Sequence, residues 1–313
     1  MRQKSFTRFY SGMKTFEYAA KYTAGTYNSA DDRAPFFKGR NLLIATMHKK
    51  ETVIAPVLEK MLGVKCITAE KINTDLLGTF TGEVARKADS LHTAIDKCEM
   101  AMQAYQMDLC VANEGSFGPH PYLHFIPADD EIMVLVDKKN DLLIKARKLS
   151  THTNFNGCEI NSEQELVNFS RAAKFPEHAL ILRIGEKPQE HIIKGITDPA
   201  QLLDLFRLYK REDKKVLIET DMRAMYNPTR MEVIKELAMQ LALNAGRVCP
   251  ACGIPGFCIT DKKAGLPCSL CGSPTASVMS DVYTCEKCSF SKEAMYPSGK
   301  KMEDPMYCQY CNP

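Results

Sequence analysis

Short apolar runs alternate with stretches of helical periodicity through the central part of the chain. The runs that have the length and composition of strands cover residues 41–47, 64–68, 108–112, 132–137, 142–147, 179–183 and 216–219. Apolar residues at helical spacing follow the first run between Val53 and Leu62, and further helices are predicted near 89–106, 163–173 and 199–210. The pattern predicts an α/β domain over residues 39–246, with a mixed, largely parallel sheet flanked by helices.

Capping residues mark where several of these helices begin. Ser162 with Glu165 forms a capping box, and Asp198 precedes a proline at a first helical position. Asn227 and Pro228 give the same signal for a last helix that ends at Gly246. The domain is therefore expected to close with this helix.

The last part of the chain, residues 247–313, carries four Cys-x-x-Cys pairs. They are Cys249/Cys252, Cys268/Cys271, Cys285/Cys288 and Cys308/Cys311. The first two pairs are 15 residues apart and the last two are 19 apart, which is typical of zinc ribbons. Eight thiolates supply two closed tetrahedral Zn²⁺ sites with no open position, so both sites are predicted to be structural.

Two arrangements of these pairs around the metals are compatible with the sequence. Sequential pairing, which gives two ribbons in series, fits both spacings and is the expected one, whereas a cross-braced module joins the first pair to the third.

The tail is nearly neutral, since it has seven Lys or Arg against six Asp or Glu. Nucleic acid is therefore a possible partner that the charge of the tail does not support.

Composition limits the remaining classes. The chain has 313 residues and no apolar run of 18, so a membrane span is not expected. Thirteen cysteines without a secretory signal indicate a cytoplasmic protein whose thiols bind metal rather than form disulfides. Residues 1–38 are predicted to be an N-terminal arm without chemistry of its own, either a docked helix or a partly disordered segment.

Polar side chains follow the first predicted strand and lead into a helix. Thr46, His48, Lys49 and Lys50 lie where free backbone N–H groups and the helix dipole favour an anion. Two lysines beside that helix start suit a phosphate group. The alternative is an ordinary capped helix with solvated lysines.

The strand predicted at 108–112 is followed by a turn-like segment that contains an acid. Glu114 lies at its start, and Ser116 and His120 follow between glycines and prolines. Glu114 is predicted to bind Mg²⁺ as a catalytic ligand, and a plain structural turn is the alternative. Asp75 and Glu83, in the polar stretch 74–86, are further candidates for the same ion, with loop solvation as an equal alternative.

A third polar segment follows the last predicted strand. Glu219, Asp221 and Arg223 precede the closing helix, and Thr229 and Arg230 lie in its first turn. An arginine there opposes the helix dipole, which is easier to explain if it faces an anionic ligand or pairs with Glu219 or Asp221. Both explanations are open from the sequence.

The order of these motifs resembles the inosine/xanthosine triphosphate pyrophosphatase superfamily. Residues 43–48 are similar to the opening strand and phosphate loop of that superfamily, Ala94-x-x-Lys97 to a helix before its metal-binding strand, and Thr229-Arg230 to the start of its last helix. The resemblance implies hydrolysis of noncanonical nucleoside triphosphates with Mg²⁺ and a phosphate-binding role for Lys97. The chain as a whole also resembles an uncharacterised family known mainly from bacterial genomes.

We therefore expect a Mg²⁺-dependent hydrolase that acts on a nucleotide or a related phosphorylated small molecule. In this interpretation the cations neutralise phosphoryl oxygens while a carboxylate orients the attacking water. Two alternatives stay open: a non-enzymatic ligand-sensing module whose zinc tail docks onto a protein or nucleic acid, and a nucleic-acid-processing enzyme.

Overall fold

A computed structural model describes residues 36–70, 89–185, 191–211 and 214–313. Nearly all of the predicted N-terminal arm lies outside these ranges, as do Asp75 and Glu83. The helices are α1 (Glu51–Leu62), α2 (Ser90–Tyr105), α3 (Glu163–Ala172), α4 (Pro199–Arg211) and α5 (Pro228–Gly246). None of the helices in these ranges is long and apolar enough to cross a membrane.

The first sheet has five strands in the order β2-β1-β3-β4-β5. They are β1 (Asn41–Ala45), β2 (Lys65–Thr68), β3 (Leu109–Pro119), β4 (Pro127–Asp137) and β5 (Leu142–Ser150). β1 pairs in parallel with β2 and with β3, and β3, β4 and β5 form antiparallel pairs. After the exposed Asn41, apolar residues on both faces of β1 are buried, as expected for a strand between two neighbours.

Helices cover both faces of this sheet. α1 and α5 pack against the face that carries Val111 and Met133, together with Ile54 and Leu237 from the helices themselves. α2 covers the opposite face in a second cluster that includes Cys110. Because side chains alternate along a strand, successive residues of β3 and β4 point to different helices.

The second sheet has four antiparallel strands in the order β6-β9-β7-β8. They are β6 (Gly157–Glu159), β7 (Leu180–Ile184), β8 (His191–Ile196) and β9 (Val216–Thr220). α3 and α4 pack on it through Leu166, Phe169, Leu202 and Phe206. A short 3₁₀ turn at Ala224–Tyr226 then leads from β9 into α5.

The tail forms a third, antiparallel sheet between its cysteine pairs. Its strands are β10 (Cys258–Ala264), β11 (Val278–Thr284) and β12 (Ser291–Met295), with β11 in the centre. A short 3₁₀ turn at Pro305–Tyr307 precedes the last pair.

The predicted mixed α/β fold with a cysteine-rich tail is confirmed, with two corrections. Among the strands of the described residues, the parallel pairs are those of β1 with β2 and β3, because the later strands are joined as hairpins or antiparallel partners. The segment after residue 112 is not a loop, since β3 continues to Pro119. Glu114 consequently lies inside a strand rather than at its end.

Candidate functional site

Charged and polar side chains from four separate segments meet beside the first sheet. They are Lys50 before α1, Asn113 on β3, Asp129 and Glu131 on β4, and Arg230 in the first turn of α5; we call these five residues the buried charge cluster. None of the five is more than 5% exposed. Burying so many ionisable groups is costly unless they are paired, so their contacts matter.

A continuous series of hydrogen bonds joins most of the cluster. Lys50 Nζ donates to the side-chain and main-chain oxygens of Asn113 at 2.9 and 3.2 Å. Asn113 Nδ2 donates to Glu131 Oε2 at 2.9 Å, and Arg230 Nε donates to Glu131 Oε1 at 2.6 Å. Arg230 Nη1 also donates to the main-chain oxygen of Met222 at 2.6 Å. Side chains far apart in sequence are thus locked into one arrangement.

Glycine at position 115 makes room for the ion pair between Glu131 and Arg230. Gly115 lies directly opposite Glu131 in the β3–β4 ladder. A Cβ atom at Gly115 would overlap the Glu131 carboxylate and lie 2.6 Å from Arg230 Nη2. The guanidinium also lies over the ring of Phe117, with Cζ 5.0 Å from the ring centroid. The strand therefore supplies a gap and an aromatic surface to hold the arginine.

Burial and mutual charge shift the protonation of the cluster. Burial, followed by repulsion from Arg230, lowers the pKa of Lys50 to about 7. Burial, followed by repulsion from Glu131, raises the pKa of Asp129 to about 8. Burial favours a higher pKa for Glu131 as well, but Arg230, Lys50 and the Asn113 hydrogen bond outweigh it and hold that pKa below its usual value. Two groups of the cluster thus change charge close to neutral pH.

Two predicted residues pair with each other on the opposite face of the sheet. Glu114 points toward α2 and forms a buried ion pair with Lys97 of that helix. Both act on the pKa of Lys50 through space, so the pair is electrostatically linked to the cluster. Within the described ranges the groups of three or more His, Cys, Asp or Glu that could hold an ion are both made of cysteines. Glu114 is therefore not part of such a group there.

The other candidates after β1 and near β3 have separate surroundings. Thr46 is buried and its hydroxyl donates to the Met47 carbonyl at 3.0 Å. His48 and Lys49 adopt left-handed backbone conformations at the turn into α1, and Lys49 is exposed. Ser116 is half-buried on the Glu114 face of β3. The turn is thus tight, and of these side chains only Lys50 enters the cluster.

His120 closes the β3–β4 hairpin. Its Nδ1 accepts the backbone N–H groups of Tyr122 and Leu123 at 3.3 and 3.2 Å. The imidazole therefore stabilises the connection between the two strands rather than joining the cluster.

The candidates before α5 pair within the second sheet. Glu219 accepts Arg183 Nε at 2.9 Å. Asp221 is fully buried, accepts the Gly195 N–H at 3.1 Å and pairs with Arg223 at 2.7 Å. These contacts hold the segment that leads into α5. For Glu219, Asp221 and Arg223 the salt-bridge interpretation accounts for the geometry, whereas Arg230 enters the cluster.

The start of α5 is fixed by two caps. Asn227 Oδ1 accepts the Arg230 N–H at 3.0 Å. His178 Nε2 accepts the Thr229 N–H at 3.3 Å and lies 2.9 Å from the Thr229 hydroxyl. Burial, followed by the charge of Lys174, lowers the pKa of His178, which keeps its ring neutral and able to accept. These contacts aim Arg230 at Glu131.

Three cluster residues are absent from the sequence prediction: Asn113, Asp129 and Glu131. The available signal was strand parity, because Asp129 and Glu131 alternate with Met133 on what becomes a buried face. An acid at a core position of a strand is a marker of a functional or paired group. That signal was missed because the predicted strand began only at Ile132.

The eight predicted cysteine ligands form two groups, but in a different pairing from the one expected. Cys249, Cys252, Cys285 and Cys288 form tetrad 1, and Cys268, Cys271, Cys308 and Cys311 form tetrad 2; within each, the sulfurs lie within 4.8 Å of one another. The sequential pairing was wrong and the module is cross-braced. The reason is the central hairpin strand β11, which brings the third pair back beside the first.

Each tetrad has the chemistry of a closed metal site. The backbone N–H groups of Ala251 and Leu270 point at the sulfurs of Cys249 and Cys268, both at 3.4 Å. Gly253 follows its pair with a φ of 71°, a left-handed conformation that glycine adopts without strain in the turn around a metal. Four thiols and stabilising amide groups can hold one tetrahedral ion in each tetrad.

Comparison with known proteins gives a family and little more. No curated protein matches the sequence. Among solved structures, the crystal structure of protein VC0702 from Vibrio cholerae is similar at 11% identity and a TM-score of 0.30, covering 66% of this chain and 93% of that one. A likeness this low supports no argument about fold or function.

A family model matches residues 97–313, which is more than half of the chain and includes Lys97, Glu131, Arg230 and both tetrads. Lys50 lies before the matched region. The chain belongs to the DUF6671 family, which is described as a domain of unknown function.

Proposed function

We propose that the protein binds a nucleotide or a related phosphorylated small molecule at the buried charge cluster and hydrolyses it with the help of Mg²⁺. The observation that carries the proposal is Lys50. Its ammonium group is almost fully buried, yet both of its hydrogen-bond acceptors are neutral oxygens of Asn113. Such an arrangement costs stability unless an anion completes it.

The neighbouring cation suits the same role. Arg230 is held by Glu131 on one side and by the Met222 carbonyl on another, which fixes the plane of its guanidinium. Fixed cations in a site that excludes water stabilise the charge that develops on phosphoryl oxygens during transfer. The chemistry thus follows from preorganised positive charge.

Magnesium fits this site only as a companion of the ligand. Mg²⁺ keeps several waters and usually takes one or two carboxylates together with substrate phosphates, so a dedicated set of protein ligands is not required. Glu114 is the carboxylate that we assign to it, and when bound the ion would neutralise bridging phosphate oxygens. Lys97, the ion-pair partner of Glu114, is the further cation that we assign to the phosphates.

We infer that tetrads 1 and 2 hold structural zinc ions. Four thiolates fill the coordination of Zn²⁺ and leave no position for water or substrate. Catalysis is therefore assigned to the α/β domain, and the tail is assigned a structural role.

A phosphate-release screen over nucleoside triphosphates with Mg²⁺ tests the proposal. We expect turnover of at least one nucleotide by the wild type, and a loss of about 100-fold or more in Lys50→Met, because a preorganised cation at the transferring group is removed. Lys49→Met is the matched control: its side chain is exposed one position away, so we expect a rate within about threefold of wild type.

Folding is checked in the same set by thermal unfolding. Met has a similar length to Lys and no charge to bury, which offsets the two hydrogen bonds that Asn113 loses, so the stability of Lys50→Met is expected to lie within about 2 kcal/mol of the wild type. Full activity in a folded Lys50→Met protein would remove the cluster from the reaction. Full activity in Glu114→Gln would remove only the assigned Mg²⁺ ligand.

Binding without hydrolysis is the second candidate. The observation in its favour is that the described residues offer no group of three acidic or imidazole side chains to hold a catalytic cation. This candidate predicts that calorimetry detects a nucleotide or pyrophosphate that wild type binds and never turns over. Measurable turnover decides for the hydrolase.

A further inference from the structure

The carboxyl group of Asp129 is the most unusual member of the buried charge cluster. It is fully buried, and neither of its oxygens accepts a hydrogen bond from any group in the described part of the chain. Buried carboxylates normally receive two or more donors, because an isolated buried charge is very costly. A structural acid would be expected to have such donors.

The immediate neighbour of Asp129 on the same face of β4 is a second carboxyl group. Glu131 lies two residues along the strand, so both side chains point to the α5 side of the sheet. Both Glu131 oxygens already accept, from Arg230 and from Asn113. Glu131 is therefore the ionised partner, and two adjacent carboxyl groups in one buried site cannot both ionise readily.

From this geometry we propose that Asp129 is a positioning residue: it holds one proton against Glu131 and so keeps the buried charge cluster net positive for an anionic ligand. The inference rests on the proposed function, because it assigns the charge that the phosphorylated ligand meets. Below the pKa of Lys50, and with Asp129 protonated, Lys50 and Arg230 exceed Glu131 by one positive charge. With Asp129 ionised, that excess is gone.

The groups that face Asp129 agree with this assignment. Glu131 is on its own strand, Arg230 comes from α5, Lys50 from the segment before α1, and the non-titrating ring of Phe117 lies opposite it on β3. Burial and Glu131 raise the pKa of Asp129 to about 8, whereas Arg230 and Lys50 act against this rise. The proton is consequently present at neutral pH and lost in mild alkali.

The ligand test compares wild type with Asp129→Asn by calorimetric titration of inorganic pyrophosphate into the full chain at pH 6.5 and pH 9. The amide of the variant is neutral at both pH values. At pH 6.5 we expect the two proteins to bind pyrophosphate with equal affinity, within about threefold. At pH 9 we expect wild type to bind about tenfold more weakly than the variant, because the ionised Asp129 carboxylate repels the anion. Lys50 titrates in both proteins, and its titration differs between them only through the charge of Asp129, which is the quantity that the ratio reports.

Asp130→Asn is the matched control. Asp130 is the next residue on β4, points to the other face and pairs with Arg147 at 2.6 Å. The ratio of the Asp130→Asn affinity to the wild-type affinity is therefore expected to be the same at both pH values. If the ratio of the Asp129→Asn affinity to the wild-type affinity is the same at pH 6.5 and pH 9, the inference is overturned and the proposed function stands. Absence of pyrophosphate binding by folded wild type at both pH values would overturn both.

A measurement without ligand tests the proton itself. The pKa of Asp129 is raised from about 3.8 to about 8 on folding, so the folded chain binds the extra proton between these values and the free energy of unfolding falls as pH rises through that window. Asp129→Asn lacks this fall. Urea unfolding at pH 5 and pH 8.5 should show wild type losing stability relative to the variant, and parallel losses would contradict the inference.

Discussion

At the level of single residues, the close approach of Glu131 and Arg230 depends on a missing side chain. Because Gly115 has no side chain, the ion pair can lie directly against β3. The three atoms nearest to where a Cβ would stand all belong to Glu131 and Arg230. From the sequence, this glycine belongs to a predicted turn-like segment. The structure gives a different reason, since a side-chain ion pair occupies the space.

Gly115→Ala should therefore destabilise the protein by about 1–3 kcal/mol, the usual cost of inserting a methyl group into a packed site. The added Cβ forces the Glu131 carboxylate or the guanidinium to move. Urea unfolding measures the change. Gly118→Ala is the control, because a Cβ there meets no atom within 4 Å and the backbone φ is ordinary. Equal losses in the two variants would contradict the explanation.

Lys50 should give the protein an unusual dependence of stability on pH. Burial lowers its pKa from 10.5 to about 7, so between these values the unfolded chain binds a proton that the folded chain lacks. The free energy of unfolding is then expected to rise with pH from 7 to about 10, by an amount on the order of 3–5 kcal/mol. Urea unfolding of wild type and Lys50→Met at pH 7, 8.5 and 10 measures it.

In Lys50→Met this rise should be missing, because the titrating group is gone. A wild-type curve parallel to that of the variant would mean that Lys50 keeps its proton in the folded state. Lys49→Met again serves as the exposed control and is expected to follow the wild type.

At the level of elements, helix α5 connects the second sheet to the cluster, because its first turn carries Arg230. Its first turn is capped by Asn227 and His178, and the Asn227 side chain also donates to Asn154 Oδ1 at 2.8 Å. These contacts orient the turn that carries Arg230.

Asn227→Ala is expected to cost about 1 kcal/mol of stability, as removal of an N-cap usually does, and also to weaken pyrophosphate binding several-fold because Arg230 loses its alignment. Ser162→Ala removes the cap of α3, where Ser162 accepts the Glu165 N–H at 3.2 Å, and is the matched control. It should lose similar stability without losing affinity. Calorimetry and urea unfolding of both variants separate the two effects.

The elements that local patterns specify were predicted well. The caps at Ser162 and Asn227 place the starts of α3 and α5 correctly, and both helices end within a residue of the prediction. The strands β3 and β4 were predicted too short, because Gly115, Gly118 and Pro119 suggest a loop. Cross-strand pairing as far as Pro119 with Pro127 overrides those local preferences.

The cluster itself could be predicted only in part. Lys50 and Arg230 were found because each stands at a helix start, which is a local signal. Their meeting depends on the β3–β4 register and on the packing of α5 over the sheet, which no local pattern specifies. The same is true of the cross-braced cysteine pairing, which the course of the tail hairpins decides.

At the level of the whole molecule, the two tetrads differ in what surrounds them. Next to Cys285, Glu286 pairs with Lys145 at 3.0 Å and Lys287 with Asp141 at 2.8 Å, so tetrad 1 contacts the β4–β5 hairpin of the main sheet. Gly256 of the tail packs against Ile144 of β5, beside a cavity of about 380 Å³. Around tetrad 2, contacts such as that of Lys300 with Glu303 join tail residues to one another.

Loss of metal from tetrad 1 should therefore destabilise the adjoining part of the main domain, whereas loss from tetrad 2 should leave the main domain unchanged. We expect Cys285→Ser to accelerate amide hydrogen exchange in β5 about tenfold, and Cys308→Ser to leave β5 unchanged. Exchange measured by mass spectrometry, with the zinc content of each variant as a check, decides between them. Equal acceleration in β5 would show that the two sites act as one unit.

The most direct test of the function proposed for the buried charge cluster is a crystal structure of the full chain grown with Mg²⁺ and methylenebisphosphonate, an analogue of pyrophosphate that cannot be hydrolysed. The account predicts a phosphonate oxygen at about 3 Å from Lys50 Nζ, with a second contact to Arg230. An analogue bound away from both residues, with the Lys50–Asn113 and Glu131–Arg230 contacts unchanged, would contradict it.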